Sequence, residues 1–133
     1  MKIAIFGNAM KRVTLGEVSH LLEFLELRQV DVYLSQELRQ EMNLRDYPPF
    51  PDTDETWEEF TREGHMIDFA LSIGGDGTYL TTASIIGNRN IPILGINCGH
   101  LGFLAEVQTN QVDVIMDQLI QGRYTIEQRS LLY

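Results

Sequence analysis

At 133 residues, with 44% hydrophobic and 22% charged content, the chain has the size and composition of one globular domain. Nineteen acidic against ten basic residues give a formal charge of −9, which argues against nonspecific binding to nucleic acid or an anionic membrane. A single cysteine, Cys98, excludes an intramolecular disulfide and a cysteine-based zinc cluster. No stretch approaches the roughly 20 apolar residues of a membrane span, and no long apolar leader precedes the first strand, so a reducing, cytoplasmic setting is expected.

Lys2-Ile3-Ala4-Ile5-Phe6-Gly7 reads as a strand ending in glycine, the usual opening of an α/β domain. Thr14 and Glu17 have the spacing of a capping box, with Thr14 as the expected N-cap. Val18, Leu21, Leu22 and Leu25 then repeat at i, i+3, i+4 and i+7, so one helical face is apolar. Val30 to Leu34 alternates as a second strand, and Ser35 is placed to cap a short helix carrying Leu38 and Met42. From Asn43 to Glu63 the periodicity breaks. Pro48, Pro49 and Pro51 rule out a regular element, and clustered acidic residues suggest a solvated loop entering a short helix around Trp57 and Phe60. Its length makes it a candidate flap beside a ligand site.

Phe69, Leu71 and Ile73 next form a short apolar run with small residues between, the pattern of a buried strand. The run enters Gly74-Gly75-Asp76-Gly77-Thr78, where three glycines within four positions allow close approach to the main chain. Asp76 is the single ionisable side chain of this turn. Tyr79 to Ile86 should be helical, closing at Gly87. Ile91 to Ile96 is a further strand, with Pro92 tolerated near its start. A second glycine-rich turn, Asn97 to Leu104, leads to a helix with Thr109 as cap, Val112, Ile115, Met116, Leu119 and Ile120 on one face, and Gly122 beyond its end. Tyr124 to Tyr133 starts as a strand that nothing closes.

Strands alternating with helices imply an α/β fold: an open parallel sheet with helices on both faces, flavodoxin- or Rossmann-like. Residues 1–123 would form this domain, and residues 124–133 would begin a crossing into a further β-rich domain. Both glycine turns follow strands, so both should lie at the carboxyl edge of the sheet, where such folds bind ligands.

Gly7 to Arg12 lacks the Gly-x-Gly-x-x-Gly dinucleotide fingerprint, and neither glycine turn carries the lysine of a Walker loop. Phosphate handled here would meet backbone N–H groups and metal ions, leaving Asp76 to act as a base or to hold a metal. The alternative for Asp76 is a plain turn residue that caps the next helix. His20 and His65 have no partner at ligand spacing, His100 reads as a loop residue and Cys98 as an inert buried thiol.

Gly74-Gly75-Asp76-Gly77-Thr78, followed by Gly95-Ile96-Asn97-Cys98-Gly99-His100-Leu101-Gly102-Phe103-Leu104, resembles the NAD kinases. The first motif also occurs in lipid kinases of the diacylglycerol type; the second is more specific. The resemblance implies phosphoryl transfer from ATP, or in some members polyphosphate, to the 2′-hydroxyl of the adenosine ribose of NAD, giving NADP. It implies that Asp76 takes the hydroxyl proton and that Gly74, Gly75 and Gly77 lie against the nucleotide. It further implies that Leu80, Phe103 and Leu104 wall the adenine pocket, though Phe103 also reads as core. Mg²⁺ is implied as a cation carried by the nucleotide phosphates, with no dedicated protein ligand set. A homo-oligomer, dimer or tetramer, is implied for the full-length enzyme.

Many relatives carry a basic residue near the position of Thr81, which supplies no charge here. The family's Asn followed by Glu or Asp, which binds the nicotinamide-side ribose, has no counterpart in these residues, so little activity is expected of the 133 residues alone. A lipid kinase and a non-catalytic flavodoxin-like nucleotide-binding module are the alternatives.

Overall fold

The computed structural model describes residues 1–8, 12–97, 107–108, 116–118 and 120–121. Their elements run β1 (Lys2–Gly7), α1 (Arg12–Leu27), β2 (Asp31–Leu34), α2 (Gln36–Glu41), α3 (Asp54–Arg62), β3 (Phe69–Gly74), α4 (Asp76–Ile86), β4 (Ile93–Asn97) and β5 (Val107–Gln108). Residues 116–118 and 120 are also helical. The strands form one sheet in the order β2-β1-β3-β4-β5, with every neighbouring pair parallel.

Side-chain alternation divides each strand between two cores. Ile3, Ile5, Leu71 and Ile73 join Val18, Leu21, Leu22 and Leu25 of α1 on one face, together with Leu38 and Met116. Ala4, Phe6 and Ala70 join Phe50, Phe60 and Ile86 on the other. Helices therefore cover both faces, as expected from a parallel sheet whose central strands must be buried on each side. All six residues of β3 are buried.

The start of α1 differs from the expected capping box. The helix begins at Arg12, so Thr14 lies inside its first turn and is wholly buried. The cause is packing of α1 on β1: a Cβ added to Gly7 would stand 2.9 Å from the Thr14 methyl. Ser35, by contrast, caps α2 as expected, its side chain accepting from the Leu38 N–H.

The proline segment is more ordered in its packing than a solvated flap. Leu34 N–H donates to the Pro48 carbonyl at 3.0 Å, and Phe50 N–H donates to the Leu34 carbonyl at 2.7 Å. These bonds lay Pro49 beside β2 and cover the sheet edge that would otherwise stay unpaired. Phe50 is 1% exposed, its ring set edge-on to Phe6 with centroids 5.1 Å apart. The helix expected around Trp57 and Phe60 is α3, capped by Thr53, which exchanges hydrogen bonds with Thr56.

The expected helix beyond Thr109 overlaps the described residues only at 116–118 and 120–121, and the segment 124–133 lies outside them.

Candidate functional site

The strand order 2-1-3-4-5 reverses direction between β1 and β3, the point at which open α/β sheets leave a crevice at their carboxyl edge. A cleft of about 550 Å³ opens there. Phe6, Gly7 and Asn8 border it from the end of β1, and Ser35, Gln36 and Glu37 from the turn into α2. Gly75, Asp76, Gly77, Thr78, Thr81, Thr82 and Ile85 close the opposite wall, while Phe50 and Asp52 contribute from the proline segment.

Asp76 is the first residue of α4, and Gly75 is its N-cap with extended angles, φ −113° and ψ −162°. The first turn of a helix presents N–H groups that find no acceptor within the helix, and its dipole favours negative charge. Asp76 therefore stands half-exposed where a cleft, a strand end and a helix N-terminus meet.

The glycines of the turn differ in what they do. Gly74 has φ +155°, and a Cβ there would lie 2.5 Å from the Thr78 hydroxyl. It is required by the fold. Gly77 has nothing within 4 Å of the place its Cβ would occupy, and its φ is not positive. No internal packing demands glycine at 77, and glycine weakens a helix relative to alanine by roughly 1 kcal/mol. Space kept open beside a helix N-terminus suits a ligand that approaches the main chain.

Among the expected site residues, the structure brings Gly75, Asp76 and Gly77 together on one cleft wall, with Gly74 just behind them at the end of β3. Leu80 does not border this cleft. Thr78, Thr81, Thr82 and Ile85 share the helical face that does, and Leu80 stands about 200° round the helix from Thr78. Phe103 and Leu104 lie outside the described residues, as do Cys98 and His100.

Gly7, Asn8, Glu37 and Asp52 are cleft residues that sequence reading did not single out. Gly7 had been noted as a strand end. What identifies it as part of a site is the strand order, which brings the ends of β1 and β3 side by side.

None of the described lining residues is cationic, and three, Glu37, Asp52 and Asp76, are acidic. Among the described residues no group of three or more His, Cys, Asp or Glu is arranged to hold a metal. Among those residues no helix is long and apolar enough to cross a membrane.

A family model for the ATP-NAD kinase N-terminal domain matches residues 3–124. The chain is 36% identical over 132 residues to an NAD kinase of Bacteroides fragilis, covering 99% of this chain and 44% of that protein. It is 37% identical over 134 residues to an NAD kinase of Hydrogenovibrio crunogenus, covering 99% of this chain and 43% of that protein. Among solved structures, an Archaeoglobus fulgidus NAD kinase in complex with ATP superposes with a TM-score of 0.58 at 25% identity. That match covers 92% of this chain and 38% of the other. Yeast NADH kinase complexed with NADH superposes with a TM-score of 0.73 at 19% identity, with the same coverage of 92% and 38%, a likeness of fold. The chain thus spans less than half the length of the curated relatives that it matches. It belongs to the ATP-NAD kinase N-terminal domain family.

Proposed function

We propose that this domain works within an NAD kinase, transferring the terminal phosphoryl group of ATP, or of polyphosphate, to the 2′-hydroxyl of the adenosine ribose of NAD to give NADP. The observation that carries the reading is the placement of Asp76. A carboxylate stands at the first residue of α4, on the wall of the switch-point cleft, next to a glycine whose surroundings are left open. The names of the relatives support the choice of acceptor.

In this reading Asp76 accepts the proton of the 2′-hydroxyl, within the hydrogen-bond reach that a general base requires. The oxygen so released attacks the terminal phosphorus, and the bond from that phosphorus to the bridging oxygen of ADP breaks. The N–H groups opening α4 face the anionic phosphates, and Gly75 and Gly77 let them come close. Mg²⁺, when bound with the nucleotide, supplies charge neutralisation. Leu80, which does not border the described cleft, would meet the adenine together with Phe103 and Leu104.

Because the chain spans 44% of the Bacteroides fragilis relative, the reaction is proposed for a protein in which this domain is joined to the remainder that such relatives carry. A crossing at residues 124–133, a cytoplasmic setting and a dimeric or tetrameric assembly belong to the same proposal. The direct test is an assay of the full-length protein for NADP formed from NAD and ATP, with polyphosphate as second donor and diacylglycerol as competing acceptor. NADP formation is expected. Phosphorylation of diacylglycerol in its place, or of neither acceptor, would overturn the reading.

A further inference from the structure

Two buried hydroxyls, those of Ser72 and Thr82, meet between β3 and α4. Ser72 is 2% exposed and Thr82 is 1% exposed, and their oxygens lie 3.2 Å apart. Thr82 Oγ1 also lies 2.8 Å from the Thr78 carbonyl. A hydroxyl has one proton to give and a carbonyl has none. The Thr82 hydroxyl therefore has one proton for two acceptors, the Ser72 Oγ across the interface and the Thr78 carbonyl of its own helix. Both bonds start at the helix hydroxyl, one directed at the strand and one at a carbonyl near the start of the helix.

A second attachment sits beside the first. The Thr78 side chain lies over Gly74, in the space that a Cβ there would need. Residues 72 and 74 of β3 thus grip residues 82 and 78 of α4. Two residues of strand rise about 6.6 Å and four of helix about 6 Å, so the two contacts match in spacing. One contact alone would let the helix pivot. Two fix both its rotation and its slide along the strand, and Asp76 begins that helix.

Stability is a weak reason for placing hydroxyls here. A buried neutral hydrogen bond contributes only about 1 kcal/mol net, and apolar residues of the same shape would do nearly as well. What an apolar pair lacks is direction.

We propose that Ser72 and Thr82 are positioning residues that set the rotation of α4 and so aim the Asp76 carboxylate, a role that rests on the reading of Asp76 as the base in NAD phosphorylation. Thr82 borders the cleft and Ser72 does not, so Ser72 separates aiming from contact with ligand.

The test uses the full-length enzyme with Ser72→Ala, Thr82→Val, Thr82→Ser and the double variant S72A/T82V, measuring Tm, kcat and the KM for NAD. Ser72→Ala and Thr82→Val should each lower kcat about tenfold or more while KM moves less than about twofold, since small misplacements act on the chemical step. Thr82→Ser keeps the hydroxyl and should stay near the parent rate. The double variant leaves neither hydroxyl of the pair behind, so its Tm should recover while its kcat stays low. A kcat that returns with Tm in the double variant would overturn the positioning role, as would a Thr82→Ser enzyme as slow as Thr82→Val. If the parent makes NADP and every variant matches it, the positioning role alone fails. A parent that makes no NADP removes the reading of the reaction, and this role with it.

Discussion

Thr78 occupies the space that a side chain on Gly74 would need: a Cβ there would stand 2.5 Å from the Thr78 hydroxyl and 2.9 Å from its Cβ. The Thr78 Cβ cannot withdraw, because Thr78 is already in the first turns of α4 and Gly74 is the last residue of β3. With φ at +155°, the backbone itself also disfavours a side chain. Gly74→Ala should therefore destabilise the domain by about 2 kcal/mol or more, through strain and collision together. Denaturant unfolding of the parent and variant measures the difference.

Gly77→Ala should behave in the opposite way. Nothing lies within 4 Å of the added methyl, and the position is inside a helix. Stability should hold or rise by about 0.5–1 kcal/mol. The methyl would nevertheless stand on the cleft wall, so phosphoryl transfer by the full-length enzyme should fall. A variant that is more stable and slower is the expected outcome, read from Tm and initial rates.

Phe50→Ala tests the packing of the proline segment. The ring is buried against Phe6 and Trp57, and its backbone holds the segment to β2. Loss of a fully buried aromatic ring costs about 3–5 kcal/mol. A free loop would lose almost nothing, so the measured stability separates the two.

Arg89 and Asp54 form an ion pair of 3.2 Å in which the side chains are unequally exposed, 11% for Arg89 and 102% for Asp54. The exposed carboxylate gains little from the pair in high dielectric. The guanidinium also donates to the Ile85 carbonyl at 2.7 Å, near the end of α4, and lies 5.3 Å from the centre of the Trp57 ring. Arg89→Met should lower stability by about 1–3 kcal/mol through the carbonyls left behind. Asp54→Asn should leave Tm unchanged. Thermal melts of the two variants compare them directly.

Much of the fold was legible because it is written at short range. The apolar spacing of Val18, Leu21, Leu22 and Leu25 marks the buried face of α1, and all four are in the core. The buried run before Gly74 and the glycine stop at Gly87 frame β3 and α4 in the same way. Thr14 misled because a capping pattern is local, whereas its burial follows from α1 packing against Gly7 in a different element. The proline segment misled for a related reason. Prolines forbid a long ladder, yet Pro48 and Phe50 each need only one bond to Leu34 to cover the edge of β2.

The site was half legible. Asp76 and its glycines are contiguous, so their place at the end of a strand and the start of a helix could be read from the chain. Asn8, Glu37 and Asp52 come from separate segments and share a cleft only because β1 lies between β2 and β3. Leu80 was expected in the wall of an adenine pocket on grounds of resemblance. It does not border the described cleft, and Phe103 and Leu104, expected with it, lie outside the described residues.

The proposed role of Asp76 as proton acceptor is decided by one substitution. In the full-length enzyme, Asp76→Asn keeps the shape of the side chain and removes the base. A kcat lower by about 10²–10⁴-fold is expected, with the Kd for NAD, measured by calorimetry, changed by less than about threefold. An Asp76→Asn enzyme that keeps its parent kcat per folded molecule would contradict it.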